Sequence, residues 1–237
     1  MTRESRQILF EMPGGGEIGF VTHPQLKLHV IVSEMFGENA YFAQLDGDSP
    51  CVVFDPGFDD SVILRFLDEQ ELVLSAIINT HGHIDHIAGN RALKERFPDC
   101  PLVIGAGDAE KLTDPVKNLS SMMGSDLTSP AADELVHEGD VYSAAGIDLE
   151  VIEVPGHSKG HVVFLWKGSE PWVAFVGDVL FQGGIGRTDF PDGDTDLLLS
   201  SIRSKLYTLP DDTLVLPGHG PSTTIGDEKR SNPFVRA

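Results

Sequence analysis

Thr80-His81-Gly82-His83-Ile84-Asp85-His86 places three imidazoles and a carboxylate within six positions, directly after the apolar run 72–78. Nitrogen and oxygen donors packed this densely converge on a metal, and this donor set suits zinc, iron and manganese alike. The remaining ligands of such a site must come from wherever the fold brings the chain back to this loop.

Four apolar runs end in the same way. Ala76-Ile77-Ile78 leads to His81, and Val151-Ile152-Glu153-Val154 leads through Pro155-Gly156 to His157. Val173-Ala174-Phe175-Val176 leads through Gly177 to Asp178, and Leu214-Val215-Leu216 leads through Pro217-Gly218 to His219. Strands covered by helices gather their carboxyl ends at one edge of a sheet, so loops leaving those ends can meet in one site. Small residues ahead of each candidate let the backbone turn tightly and approach an ion. His81, His83, Asp85, His86, His157, Asp178 and His219 together exceed the needs of one tetrahedral zinc and suit two adjacent metals sharing a carboxylate. His23, His29 and His137 stand alone and read as surface or core residues, and His161 reads as structural.

The rest of the chain supplies a frame. Residues 1–24 form a polar lead-in, with a break at 12–16, and a single domain runs from 25 to 237. Alternation at Leu26, Leu28, Val30 and Val32 marks a half-buried strand, followed by strands over 39–45 and 51–54 joined by a turn at 46–49. A helix capped by Asp59 or Asp60 runs to about residue 71, and a second is expected over 87–97. Residues 107–134 read as an irregular loop with a short helix, whose Leu119, Met122 and Met123 can lie over the site. Strands are expected over 147–154, 162–166, 172–176 and 213–216, with a helix over 195–206. Two strand groups, each followed by helical cover, predict an α/β (α+β) sandwich of two sheets with helices outside.

Seventeen basic and thirty-seven acidic side chains give a net charge of −20, which repels nucleic-acid phosphates and anionic membranes. Two cysteines outside any CxxC pair fit a reducing compartment. The first ten residues lack the apolar core of a signal peptide, and no apolar run approaches the roughly 20 residues that span a bilayer. A soluble, cytoplasmic protein is expected, with no nucleic-acid or membrane partner.

The His81-Gly82-His83-Ile84-Asp85-His86 segment, with Gly156-His157, Gly177-Asp178 and Gly218-His219 in order, resembles the metallo-β-lactamase superfamily from about residue 26 to the end. The resemblance implies an αββα metallo-β-lactamase sandwich, two mixed β-sheets flanked by helices. It also implies one metal on His81, His83 and His157, and a second on Asp85, His86 and His219, with Asp178 bridging. The ions are expected to be two divalent metals, zinc in the first place, with iron or manganese as alternatives. Asp55, in Phe54-Asp55-Pro56-Gly57, matches a family aspartate that supports the ligands from behind; on its own it reads equally as a turn residue.

Departures from the family narrow the activity. Asp178 stands where β-lactamases of this fold usually carry cysteine, and His83 where oxygen-reducing diiron relatives carry glutamate. Gly184-Ile185-Gly186-Arg187-Thr188-Asp189-Phe190 resembles the loop of the glyoxalase II-like branch. The chain is too short for the C-terminal helical domain of classical glyoxalase II, and its tail resembles that of short bacterial members. What the resemblance implies is a metal-dependent hydrolase cleaving a thioester such as S-lactoylglutathione. Hydroxide generated at the metals attacks the carbonyl carbon, Asp85 orients the nucleophile, and Arg187 contacts the glutathione moiety. Persulfide dioxygenases share Gly-Arg-Thr-Asp-Phe but usually follow the last histidine with an acid and a tyrosine, where Gly220-Pro221 stands here. The alternatives are therefore a mono-iron dioxygenase using His81, His157 and Asp178, or a metallo-hydrolase of another small ester or lactone.

Overall fold

The computed structural model describes residues 7–11, 17–45 and 50–236. The expected break at 12–16 and turn at 46–49 lie outside the described residues.

The first sheet follows chain order: β1 (Gln7–Glu11), β2 (Glu17–Val21), β3 (Leu26–Val32), β4 (Asn39–Leu45), β5 (Pro50–Phe54), β6 (Val73–Asn79), β7 (Leu102–Gly105) and β8 (Glu134–Val136). Its pairings are antiparallel up to β5 and parallel from β5 to β8. The second sheet holds β9 (Val141–Ala144), β10 (Ile147–Glu153), β11 (Val162–Trp166) and β12 (Val173–Gly177). A small hairpin of β13 (Leu180–Phe181) and β14 (Gly184–Ile185) follows, and β15 (Leu214–Pro217) and β16 (Thr223–Thr224) complete the sheet in the order β9-β10-β11-β12-β15-β16.

Residue alternation explains the layers. In β5, Val52 and Phe54 face the second sheet, whereas Cys51 and Val53 face the helices, so the strand is covered on both sides. Phe54 stacks on Phe175 at 3.7 Å between ring centroids, joining the two sheets at the centre of the core. Helix α1 (Asp60–Glu69) lays Ile63, Phe66 and Leu67, spaced i, i+3 and i+4, onto the outer face of the first sheet. α2 (Ile84–Ile87) and α3 (Asn90–Arg96) add Ile87 and Leu93 to that layer. On the far side α4 (Thr195–Ser204) and α5 (Ile225–Ser231) cover the second sheet with Leu198, Ile202 and Ile225. The αββα sandwich expected from the sequence is the fold observed.

Several local expectations change. Part of the polar lead-in is a hairpin: β2 pairs with β3 from Glu17 opposite Val32 to Val21 opposite Leu28, so the sheet begins before residue 25. Asp59 precedes α1 at φ 71° without a side-chain cap; its Oδ2 instead accepts the Glu34 N–H at 2.9 Å. The helix expected over 87–97 is divided, and its first turn starts inside the histidine motif. At the division, the Gly89 N–H donates to the Pro56 carbonyl at 2.7 Å, and a Cβ at Gly89 would lie 2.8 Å from that oxygen. The helix thus breaks where it meets the Asp55-Pro56-Gly57 turn. Residues 107–134 contain 3₁₀ turns at Ala106–Leu112 and Ser120–Met123. No helix among the described residues is long and apolar enough to cross a membrane.

Candidate metal centre

Loops leaving β6, β10, β12 and β15 meet at one edge of the sandwich. Backbone bonds close that edge between the sheets: Val162 N donates to Thr80 O at 2.9 Å, and Asn39 N donates to Gly218 O at 2.7 Å.

All seven candidate ligands come together there. His81 Nε2 lies 3.0 Å from His83 Nδ1, and His157 Nε2 lies 3.3 Å and 3.0 Å from the same two atoms. Beside this trio, His219 Nε2 is 3.3 Å and His86 Nε2 3.7 Å from Asp85 Oδ2. Asp178 stands between the two groups. Its Oδ1 is 3.5 Å from His86 Nε2, and its Oδ2 is 3.6 Å from both His157 Nε2 and His219 Nε2.

The far nitrogens decide which lone pairs face inward. Asp55, at φ 48° after β5, accepts both the Thr80 N–H and the Thr80 hydroxyl at 2.7 Å. With its proton committed to Asp55, Thr80 Oγ1 can only accept from His81 Nδ1, 3.1 Å away. His86 Nδ1 donates to Asp55 Oδ2 at 3.2 Å, and His157 Nδ1 donates to the Arg187 carbonyl at 2.8 Å. His81 and His157 thereby keep a proton on Nδ1 and direct an Nε2 lone pair into the site, and His86, its Nδ1 held by Asp55, turns its Nε2 towards the same space. Asp55 thus sits behind the candidate ligands, in contact with them.

Electrostatics differ between the two groups. Burial, with neighbouring imidazoles adding to it, pushes His81 and His83 well below the usual histidine range; burial also lowers His157. Burial would lower His86 too, but Asp178 and Asp85 outweigh it and hold that ring well above its ordinary value. His219 is likewise raised against burial by Asp85 and Asp178. Asp85 and Asp178 are lowered despite burial, chiefly by His86.

These residues fit two cations. His81 and His157 direct Nε2 lone pairs to a common point beside His83 Nδ1, and His86 Nε2 and Asp178 Oδ1 are buried without a hydrogen-bond partner. A divalent ion at each group satisfies these atoms, and the trio and Asp85-His86-His219 each hold their donor atoms within 4.8 Å of one another. Asp55 also falls within that distance of His81 and His86, but its contacts are the hydrogen bonds above. Gly218 is required here, because a Cβ would sit 2.4 Å from Asp178 Oδ1 and 2.6 Å from His86 Cε1.

His161 supports the site from below. It is fully buried, stacks on His81 at 4.7 Å, and its Nε2 accepts the Asp178 N–H at 3.1 Å. His23 bonds to the Pro171 carbonyl, His29 packs on Phe66 and His137 is exposed; none reaches the site. Arg187 lies in the lining of the cleft over the centre, paired through Nε and Nη2 with Asp189 at 2.7 Å and stacked over Phe190.

Sequence reasoning passed over a second set of residues. Asp108, fully buried, accepts from Gly82 N and Gly160 N at 2.9 Å each and from the Ser158 hydroxyl. Lys111 donates to Ser158 Oγ, pairs with Asp192 at 2.7 Å and comes within 3.5 Å of His83 Nε2. Gly82 leaves room for it, since a Cβ there would sit 2.5 Å from Lys111 Cβ. A signal was available: β7 ends in Gly105 and leads through Ala106-Gly107 to Asp108, as β12 ends in Gly177 and leads to Asp178. Glu38, 1 % exposed, is the other residue missed; burial holds its carboxyl well above the usual range.

Comparison with known proteins agrees with this geometry. The sequence profile of the Metallo-beta-lactamase superfamily matches residues 34–219. Hydroxyacylglutathione hydrolase GloC of Haemophilus influenzae is 39% identical over 199 residues, covering 81% of this chain and 90% of that protein. The crystal structure of BLEG-1 B3 metallo-beta-lactamase superposes with a TM-score of 0.84 at 38% identity, over 89% of this chain and 100% of that one. TTHA1623 in a di-iron-bound form superposes with a TM-score of 0.76 at 33% identity, over 87% and 99%. With its sandwich, its strand-end donors and these relatives in agreement, the chain belongs to the metallo-β-lactamase superfamily.

Proposed function

We propose that this metallo-hydrolase is a dinuclear thioesterase, acting on S-lactoylglutathione or a related acyl thiol. The carrying observation is Asp178, whose two oxygens lie between a complete trio of imidazoles and a complete Asp-His-His set. His81, His83 and His157 would hold one divalent ion and Asp85, His86 and His219 the other, with the Asp178 carboxylate shared between the two groups. When bound, such ions lower the pKa of water towards neutrality and polarise a carbonyl. Similarity to a hydroxyacylglutathione hydrolase supports a thioester as the carbonyl compound.

The chain's own residues have defined tasks. Asp85 is kept ionised beside His86 and His219, so it accepts a hydrogen bond from the attacking water and aims its lone pair. Water oxygen adds to the carbonyl carbon, the C–S bond breaks, and the thiolate leaves with the bonding pair. A carboxylate and a thiol result, with one proton released. Because a thiolate is a good leaving group, no strong general acid is needed. Arg187, at the cleft wall, offers a guanidinium to a carboxylate of the thiol carrier once it parts from Asp189. Cys51 and Cys100 are both buried free thiols, in keeping with a cytoplasmic setting.

The test is elemental analysis paired with a hydrolysis screen covering thioesters, a lactone and a β-lactam. The β-lactam belongs in the screen because one structural neighbour bears a β-lactamase name, so Asp178 in place of cysteine does not by itself set that substrate aside. Two metals per chain and anaerobic thioester cleavage are expected. One iron per chain with oxygen uptake on glutathione persulfide would establish the dioxygenase instead. Asp178→Ala is expected to lose at least one metal and roughly a thousandfold or more in kcat/KM; full metal content and activity would refute the joining role.

A further inference from the structure

The cleft above the metal centre has a cavity of 520 Å³, and its walls are unequal. Arg187 is the one arginine or lysine in its lining among the described residues, and that guanidinium is already paired with Asp189 and laid over Phe190. Phe190 packs against His83 and His157, so this cationic corner belongs to the imidazole trio. A second wall is made by Leu119, Met122 and Met123. Met122 is 72% and Met123 46% exposed, so two large apolar side chains are left to solvent at the mouth of the site.

This second wall is built rather than loose. Leu119 adopts φ 72°, a left-handed conformation that a leucine avoids unless its surroundings impose it. Those surroundings are visible. Asn118, fully buried, donates through Nδ2 to Leu127 O at 2.9 Å and accepts the Ser120 N–H through Oδ1 at 2.9 Å. Its backbone carbonyl accepts from Ile84 N at 3.0 Å, which ties the wall to the residue next to Asp85. Ser120 Oγ adds a bond to Leu127 O at 2.9 Å. Strain of this kind, locked by a buried amide and tied to the ligand loop, holds the turn of backbone that carries Leu119 and the two methionines. Methionine, unbranched and polarizable, adapts to apolar groups of varied shape.

We propose that Leu119, Met122 and Met123 form an acyl-binding wall, so that the enzyme prefers thioesters with an apolar acyl chain of several carbons over a short hydroxyacyl group. The proposal rests on the thioesterase reading above. A thioester has two halves. With the charged thiol carrier facing the Arg187 corner, the acyl half is left to the apolar wall of the same cleft. A hydroxyl on a two- or three-carbon acyl group meets only the Asn118 amide there, already bonded to Leu127 O and Ser120 N, whereas each methylene placed against the wall is removed from water.

The test uses the metal-loaded protein and one thiol throughout: glutathione esterified as S-lactoyl, S-acetyl, S-butyryl and S-hexanoyl. Full burial of a methylene corresponds to about fourfold in kcat/KM. With the wall half open to solvent, S-hexanoylglutathione is expected to exceed S-lactoylglutathione by about tenfold or more. In Met122→Ser/Met123→Ser, two exposed positions whose change leaves the core intact, the hexanoyl-to-lactoyl ratio is expected to fall to within about threefold of unity. An unchanged melting temperature checks that the variant is folded. Equal kcat/KM across the series, or a preference for S-lactoylglutathione, would overturn the acyl wall and leave the thioesterase standing. A chain-length preference that survives the double substitution would also overturn it, since another surface would then read the acyl group. Failure to cleave any member would overturn the thioesterase reading itself.

Discussion

Asp108 touches none of the candidate ligand rings, yet it fastens two of the loops that carry them. Its carboxylate accepts from Gly82, between His81 and His83, and from Ser158 and Gly160, just beyond His157. An asparagine there replaces one acceptor with an NH₂ group aimed at a buried donor. Asp108→Asn is therefore expected to weaken metal binding at the trio by about 10- to 100-fold, read by competition with a chromophoric chelator. A binding constant unchanged from the parent would show that the loops hold their places without it. The two donor groups also differ in proton content. His81, His83 and His157 are lowered and so are neutral near pH 7, whereas His86 is raised well above its usual value and carries a proton in the metal-free chain. Loading the trio should release almost no proton, while loading the Asp85-His86-His219 group should release about one or two. Since protons compete only at the second group, its occupancy should fall first as pH drops. Stepwise titration of metal into weakly buffered apo-protein, with pH recorded, checks both statements; equal release in the two steps would contradict them.

At the scale of elements, the N-terminal hairpin and the split helix are where local sequence and tertiary demand part. β1 and β2 extend the sheet past β3, and Ser222 N reaches Gln7 Oε1 at 3.1 Å, so the hairpin also touches the loop after His219. We propose that residues 25–237 fold as one domain without it. Truncation at residue 25 is expected to keep the fold and to cost roughly 1–3 kcal/mol in denaturant unfolding, because β3 loses its outer neighbour and becomes an edge strand. An unfolded product would show that the hairpin belongs to the domain. The strand runs at residues 26–32, 39–45 and 162–166 were legible because alternation or unbroken apolar character follows from which faces are covered. β2 was not, because Gly19 and the partly exposed Phe20 dilute its alternation. The helix after the histidines read as continuous because nothing in its own sequence records that Gly89 must meet the Pro56 carbonyl.

For the whole molecule, charge and metal pull in opposite directions. A net charge of −20 on 237 residues opposes compaction through self-repulsion, and most of the acidic groups are on the surface, where salt screens them. The melting temperature is therefore expected to rise by several degrees between low salt and about 0.5 M sodium chloride. Removing the metals with a chelator should lower it, by several degrees or more, since an ion that binds only the folded site stabilises that state by mass action. A metal-free protein as stable as the loaded one would count against the dinuclear centre. The seven candidate donors, and the strand ends that gather them at one edge, were legible in the sequence. Ligands must be of particular residue types, and they must follow strands that share one edge. Only the tertiary structure decided which imidazole nitrogen faces inward, through Asp55, Thr80 and the Arg187 carbonyl. It alone brought Asp108 and Lys111 to the ligand loops, and it alone gave Leu119 the left-handed backbone that carries it, with the two methionines the sequence had placed near the site, into the lining of the cleft. The reason is physical. Ligation is written in side-chain chemistry, whereas tautomer, loop anchoring and pocket shape depend on contacts between residues about 20 to 75 positions apart that no local pattern records.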